Sequence, residues 1–445
     1  MKIYIKTLGC DKNTVDSQVA AGLLLAQGHQ LTDRAALADV IMVNTCGFIQ
    51  DAKQESVDTI MELAADKKPK QLLIVSGCLS QRYGEKLARL IPEADFFLGV
   101  NDYSRLPSIL TGNAEGKRVY QNPCGKMYEE IGKRMTSGSA ITAPIKIAEG
   151  CNNVCSYCSI PSIRGCYRSR KMSDIIDEAK DLAKAGCKEL VVVAQDVTAY
   201  GCDLPGEGHL IRLLEELCTV EGIHWIRLMY CYEDRITDAL IELIRTKPKI
   251  CKYLDIPLQH CSDAVLRNMN RHSTKASLVK TITKLRKQIP EIALRTTLIT
   301  GFPGETSDHF NELLDFVREM KFERLGVFAY SKEEGTAAAS FPQQVRKDVK
   351  ERRRDRIMAL QREISLESNR RLIGKTLEVL VEEVCDDGSY VGRTCRDAPE
   401  IDNSVLFASE DPLKIGDFLP VLITDAFDYD LTGIAMPEVR DESAK

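Results

Sequence analysis

No feature of this 445-residue chain constrains it more than the run EGCNNVCSYCSIPSIRG, which places cysteines at 151, 155 and 158 with Tyr157 just before the last. The spacing is C-x3-C-x2-C. Three thiolates in so short a loop can hold three irons of a 4Fe-4S cluster and leave the fourth without a protein ligand. An open iron is a place for chemistry, whereas a fully ligated cluster mainly passes electrons. The same cysteines could bind zinc with a fourth ligand from elsewhere. Structural zinc sites more often use two C-x2-C or Cys/His pairs, and no second pair follows here.

Residues 1–105 alternate short apolar runs (IYIKTLG, VIMVNT, LLIVSG) with stretches of helical periodicity at 14–27 and 51–66. That alternation predicts a parallel, doubly wound sheet. Each of the three runs leads into a cysteine: Cys10, Cys46 and Cys78, beside Gly9, Gly47 and Gly77. Carboxyl ends of parallel strands share one sheet edge, where ligands bind. Three such cysteines can therefore converge and offer a second set of three thiolates. The competing interpretation is three inert core cysteines.

Residues 106–140 read as a linker with some local structure, containing Pro107, Gly112 and Pro123. Candidate strands then fall at 145–149, 189–194, 225–230, 253–258, 293–300 and 324–330, separated by helices such as 173–185, 236–245 and 306–320. Six βα units fit an open, partial (β/α) barrel whose working face lies at the strand carboxyl ends, where the 151–158 loop begins. A basic helical stretch follows at about 343–371, read as a solvated helix with paired charges. From about 374, TLEVLVEEV, YVGRT, SVLFAS and LPVLITDAF predict a small antiparallel barrel of OB type. The final RDESAK is expected to be disordered.

A hydrophobic content of 44% with 28% charged residues is ordinary for a soluble globular chain. No apolar run is long enough to span a bilayer, and the N-terminus MKIYIKTLGC does not resemble a signal peptide. A cytoplasmic location is expected, with no membrane partner. Sixteen cysteines then point to metal or redox chemistry rather than disulfides. The net charge of −5 advertises no polyanionic partner, and no DNA partner is expected.

The cysteine loop closely resembles the signature of radical S-adenosylmethionine (SAM) enzymes. The full layout resembles the methylthiotransferase branch of that family, which joins an auxiliary-cluster domain, a radical SAM barrel and a C-terminal TRAM domain. On that resemblance the units are 1–105, a linker at 106–140, 141–370 with its trailing helix, and 374–440. LGCDKNTVDS at 8–17, IPSIRGCYRSR at 160–170, RDAPEIDNSVLF at 396–407 and DYDLTG at 428–433 resemble the RimO family. The tRNA-modifying branch usually reads GCQMN where this chain has Gly9 to Asn13. Cys166 departs from the pattern. The resemblance implies methylthiolation of the β-carbon of an aspartate in ribosomal protein uS12, free or in the small subunit. SAM would serve as methyl donor and as radical source. The alternative is methylthiolation of adenosine in tRNA.

The resemblance further implies two 4Fe-4S clusters, one on Cys151, Cys155 and Cys158 and an auxiliary one on Cys10, Cys46 and Cys78. It also implies a sulfur source and an electron donor such as flavodoxin or ferredoxin. Candidate SAM contacts are Gln195, Asp196, Gln259 and the turn Gly301, Phe302, Pro303 and Gly304. His260 could be structural or functional. Thr306 could cap a helix. Arg164 and Arg168 could touch SAM or substrate, or pair with local carboxylates. No catalytic side chain is assigned. From Gly374 to Lys445 there are six Lys/Arg against seventeen Asp/Glu, a net of −11. An acidic barrel suits a basic protein better than an RNA backbone, although acidity also serves solubility.

Overall fold

Four sheets organise the chain, seen in a computed structural model that describes residues 1–113, 116–123, 132–135 and 140–437. The first contains β1 (Lys2–Thr7), β2 (Gln30–Leu31), β3 (Val40–Thr45), β4 (Leu72–Gly77), β5 (Phe96–Leu98) and β6 (Val119–Tyr120). Its order is β2-β1-β3-β4-β5-β6, and every pairing is parallel. Along β3, Val40 and Met42 pack with α1 (Asp11–Ala26) and α4 (Leu106–Leu110). Ile41 and Val43 pack on the other face with α2 (Gln50–Ala65) and α3 (Cys78–Leu90). Both faces are covered, as the continuous apolar strands require. The order reverses between β1 and β3, which opens a crevice at their carboxyl ends. Part of the stretch expected to be a linker, α4 and β6, belongs to this unit, because Ile109, Leu110 and Tyr120 complete its second core.

The second sheet is also parallel throughout, in the order β7-β10-β11-β12-β13-β14, and β7 and β14 do not meet. Its strands are β7 (Thr142–Lys146), β10 (Glu189–Val193), β11 (Trp225–Leu228), β12 (Ile250–Asp255), β13 (Ala293–Thr300) and β14 (Arg324–Ala329). Between β7 and β10 the chain forms β8 (Ala148–Glu149), α5 (Ile160–Arg164), β9 (Arg168–Ser169) and α6 (Met172–Lys184). The outer layer continues with α7 (His209–Thr219), α8 (Asp238–Thr246), α9 (Asp263–Asn268), α10 (Lys275–Gln288), α11 (Ser307–Met320) and α12 (Lys347–Arg370). These helices are amphipathic: α6 buries Ile175, Ile176, Ala179 and Leu182, one helical face. Thr306 caps α11, accepting from the His309 amide.

Three expected strands need correction. The stretch 145–149 divides: β7 ends at Lys146, and β8 leaves the sheet to pair antiparallel with β9. The stretch 225–230 ends at Leu228, because Tyr230 turns to a left-handed φ of 56°. The strand expected at 253–258 falls three residues earlier, at Ile250–Asp255, and stops there because Pro257 has no amide to donate and Gln259 also has positive φ.

The last unit is a closed barrel of β15 (Thr376–Val384), β16 (Tyr390–Thr394), β17 (Val405–Ala408), β18 (Phe418–Ala426) and β19 (Leu431–Ala435). It is not antiparallel throughout, since β17 and β19 pair parallel. The long return after β17 sends β18 to β15, and the hairpin that follows brings β19 back along β17. The stretch 393–402 plugs the other barrel at the amino ends of its strands. Asp397 pairs with Arg324, and Asp402 meets Arg295 at 3.3 Å and the Tyr253 hydroxyl at 2.7 Å. The final RDESAK and Cys124 lie outside the described residues. Among those residues no helix is long and apolar enough to cross a membrane.

Candidate active site

The β8–β9 clip closes the base of the cysteine loop. Gly150, at φ 79°, lets the chain start that loop, since a Cβ there would run into the Cys166 carbonyl. The Cys151 amide donates to the Gly165 carbonyl at 3.1 Å, and Cys158 N to Cys155 O at 3.1 Å. Backbone amides also approach the sulfurs: Asn153 N lies 3.4 Å from Cys151 Sγ, and Ile160 N 3.4 Å from Cys158 Sγ. The Tyr232 hydroxyl sits 3.1 Å from Cys155 Sγ. Ser156 pins the loop to α9, its Oγ donating to Asn268 O at 2.7 Å. Burial pushes the Cys151 thiol up and the Cys158 thiol to about 12. Their protons must leave when metal binds, so loading is coupled to proton release.

The second set forms at the crevice of the first sheet. Cys10 is the residue before α1, Cys78 opens α3, and Cys46 follows β3. Close approach is what the flanking glycines permit. A Cβ on Gly9 would stand 3.0 Å from Cys46 Cβ, and one on Gly47 would stand 2.7 Å from the Leu79 amide. Burial raises Cys46, and raises Cys78 to about 11 although Arg164 pulls the other way. Cys10 is exposed, Cys46 half-buried and Cys78 buried.

Arg164 joins the two sets. It ends α5, six residues past Cys158, and it is buried. Its Nη2 donates to Asn13 Oδ1 at 2.8 Å, pairs with Asp16 at 3.0 Å and lies 3.5 Å from Cys78 Sγ. Its Nη1 pairs with Glu149 at 3.0 Å. Lys146 bridges the same carboxylates, at 2.5 Å to Asp16 and 2.6 Å to Glu149. Burial opposes ionisation of Glu149, yet Arg164 and Lys146 hold its carboxyl well below the usual range. Two cations and two carboxylates thus cancel inside the interface, the condition for burying them. On the other flank Arg82 of α3 donates to Gly47 O at 2.6 Å and pairs with Glu333 at 3.1 Å, which also holds Lys53 at 2.7 Å.

Both cysteine sets therefore open on the interface between the first sheet and the carboxyl ends of the barrel strands. Among the described residues no three His, Cys, Asp or Glu side chains are placed to grip a single ion. A cubane needs something else, three soft thiolates on three different irons, with amides and cations around the sulfurs. Both donor sets fit that group.

The remaining candidates sort by place. Asp196 is buried, pairs with Arg235 and accepts from Asn153 Nδ2 at 2.9 Å, so its carboxylate fastens the cysteine loop. Gln195 donates to Glu149 at 3.1 Å, and its Oε1 is buried without a partner among the described residues. Gln259, at φ 70°, bridges to β13 through its backbone. Gly301 packs on Lys350 of α12, and its amide donates to Glu305 at 2.6 Å. Phe302 lies in a small apolar cluster with Tyr330, against which Tyr157 packs. Pro303 is buried and Gly304, at φ 84°, donates to Gln343 O at 3.1 Å. His260 is structural: it is fully buried, its Nδ1 accepts from Ser262 N at 2.9 Å, and burial lowers it to about 3. Arg164 pairs with local carboxylates, and Arg168 reaches Asn101 at 3.5 Å. Cys166 is exposed. Sequence reasoning assigned no role to Lys12, although it lies in the LGCDKNTVDS run, and missed Arg82, Tyr232 and Lys146, whose type and spacing carry no signal because each acts through a tertiary contact.

Family models match three stretches: Uncharacterized protein family UPF0004 over residues 2–99, the radical SAM superfamily over 145–317, and the TRAM domain over 373–436. Among solved structures, a radical SAM methyltransferase, TsrM, from Kitasatospora setae aligns with a TM-score of 0.56 at 13% identity, covering 74% of this chain and 72% of that one. The cobalamin-dependent radical SAM enzyme OxsB aligns with a TM-score of 0.53 at 13% identity, covering 82% and 56%. These likenesses show the shared fold alone, and the family match assigns residues 145–317 to the radical SAM superfamily. A curated relative from Clostridioides difficile, named ribosomal protein uS12 methylthiotransferase RimO, is 49% identical over 99% of this chain and its own full length. One from Geobacter sulfurreducens with the same name is 47% identical over 97% of this chain and 98% of its own. The chain belongs to the RimO family of radical SAM methylthiotransferases.

Proposed function

We propose that this enzyme methylthiolates the β-carbon of an aspartate in ribosomal protein uS12, with SAM as both methyl donor and radical source. The observation that carries the reading is the meeting of two three-cysteine sets across Arg164. Cys151, Cys155 and Cys158 hold the SAM-binding 4Fe-4S cluster, and Cys10, Cys46 and Cys78 hold the auxiliary one. When bound, these groups supply the electron that cleaves SAM and the sulfur that is transferred. The target C–H is not acidic enough for an ordinary base, which is why the hard chemistry belongs to cofactors. The protein's part is position. Arg164, Lys146, Asp16 and Glu149 lock one set against the other, and Tyr232 and Asn153 hold the cysteine loop. Gln195, Asp196, Gln259 and the turn Gly301–Gly304 edge the barrel mouth where SAM would lie, and the Phe302–Tyr157 packing supports that assignment.

The division of labour is 1–105, completed by α4 and β6, for the auxiliary centre, the rest of 106–140 as the connection, 141–370 for radical generation and 374–440 for recognition. The exposed acids of the last unit include Glu383, Asp386, Asp387, Glu410 and Asp411, whereas Arg393 is withdrawn into the barrel interface. That surface suits a basic ribosomal protein. A cytoplasmic location, a flavodoxin or ferredoxin as electron donor and a separate sulfur source complete the reading. Mass spectrometry of uS12 and of tRNA nucleosides from a deletion strain tests it. Loss of the methylthio group from uS12 is expected. An unchanged uS12 with loss of methylthioadenosine from tRNA would overturn it.

A further inference from the structure

Lys12 is a buried cation that the locking network does not use. It is 8% exposed, yet among the described residues its ammonium has neither a carboxylate at ion-pair distance nor a hydrogen-bond acceptor. Other buried cations at this interface are paired: Lys146 with Asp16 and Glu149, Arg164 with the same two, and Arg271 with Glu233. Lys12 Nζ instead stands 3.5 Å from the centre of the Tyr230 ring. That ring is held in place by an unusual backbone. Tyr230 has a left-handed φ of 56°, its amide donates to Asp255 at 3.1 Å, and its carbonyl accepts from Val197 N at 3.1 Å. A strained residue pinned on both sides marks a place where the fold keeps a side chain for use. A ring face offsets part of the ammonium's desolvation and leaves its donors unused.

The surroundings say what those donors face. Lys12 is two residues from Cys10, and Tyr230 is two residues from Tyr232, whose hydroxyl touches Cys155. Lys12 is thus tied by the chain to Cys10 on one side and, through the Tyr230 ring, to the segment that contacts Cys155 on the other. Resting on the functional reading above, we propose that Lys12 binds the side-chain carboxylate of the target aspartate. A buried cation short of a counter-charge gains most from a ligand that brings one. The carboxylate carbon is bonded to the β-carbon, so gripping the carboxylate fixes where the β C–H lies. A neutral amide or nucleobase in the same place leaves the ammonium unpaired. Lys12 is thus a specificity-determining residue as well as an anchor.

The test uses iron-loaded enzyme with uS12 and with uS12 carrying Asn at the target position, measuring Kd and methylthio transfer. Wild type is expected to bind the aspartate form at least about 30-fold more tightly, as for a buried charge pair. Lys12→Met should bring that ratio to within about threefold, and Lys12→Arg should keep most of it, both with wild-type iron content. An unchanged ratio in folded Lys12→Met, or loss of the ratio in Lys12→Arg, overturns the proposal. So does loss of iron from Lys12→Met with the ratio intact, which would make Lys12 a partner of the auxiliary cluster instead. Failure of the functional reading is distinguishable, because it appears with wild type alone as transfer to tRNA and none to uS12.

Discussion

Replacing Glu189 by Gln should loosen the acidic barrel from the radical SAM barrel. Glu189 begins β10 and is completely buried, with Arg227 Nε at 2.7 Å and Arg393 of β16 on its other oxygen. Burial opposes its ionisation, but the two guanidiniums win and hold its carboxyl at about 2 against a usual 4.5. A carboxyl depressed in the folded state stabilises above its unfolded pKa. That contribution is lost as pH falls from about 4.5 towards 2. A shift of this size corresponds to about 3 kcal/mol. Glutamine keeps the shape and removes the charge, leaving two buried guanidiniums short of a partner, which costs about 3–5 kcal/mol. Arg393 retains Glu382 at 2.8 Å, so the lower end applies. The chain has one tryptophan, and Trp225 sits in this interface with its ring 4.8 Å from Phe418. Its fluorescence during anaerobic urea unfolding therefore reports the separation directly. Glu189→Gln should lose about 3 kcal/mol at pH 7 and show a flatter dependence between pH 5 and pH 3. A loss below about 1 kcal/mol, or an unchanged acid limb, would refute the reasoning.

Four further outcomes are expected. Cys46→Ala should lower iron from about eight to about four per chain, leaving the Cys151 set loaded; unchanged iron by colorimetric assay counts against the second centre. Arg164→Lys keeps the charge but cannot reach Asn13, Asp16 and Glu149 together, so methylthio transfer should fall at least about tenfold, measured by mass spectrometry of uS12. His260→Asn should leave the pH–rate profile between pH 6 and 9 unchanged, because His260 is neutral throughout that range; a displaced limb would contradict its structural assignment. Reversing Glu383, Asp386 and Asp387 to Lys should weaken uS12 binding in low salt and have less effect in high salt, where screening is strong. Equal affinity at low salt would remove the charge argument for recognition.

Much of this protein is legible along the chain, and the reason is periodicity. Parallel strands buried on both faces read as apolar runs, so VIMVNT and LLIVSG coincide with β3 and β4, and the β-rich runs TLEVLVEEV and YVGRT coincide with the antiparallel pair β15 and β16. Strand ends were less legible where backbone geometry rather than hydrophobicity decides them, at Tyr230, Pro257 and the β8 clip. The parallel closure of β17 on β19 was hidden for the same reason, since pairing direction leaves no mark on a single strand.

The cysteine spacing at 151–158, and the recurrence of cysteine after three strands, are local patterns, and local chemistry determines what they can bind. Which groups lie between them is a different kind of fact. Asp16 meets Arg164 across 148 residues, Lys53 meets Glu333 across 280, and Lys12 lies over Tyr230. Such pairs exist only once separate cores have packed together, because a charge is selected there by the potential of its neighbours and not by the residues beside it in sequence.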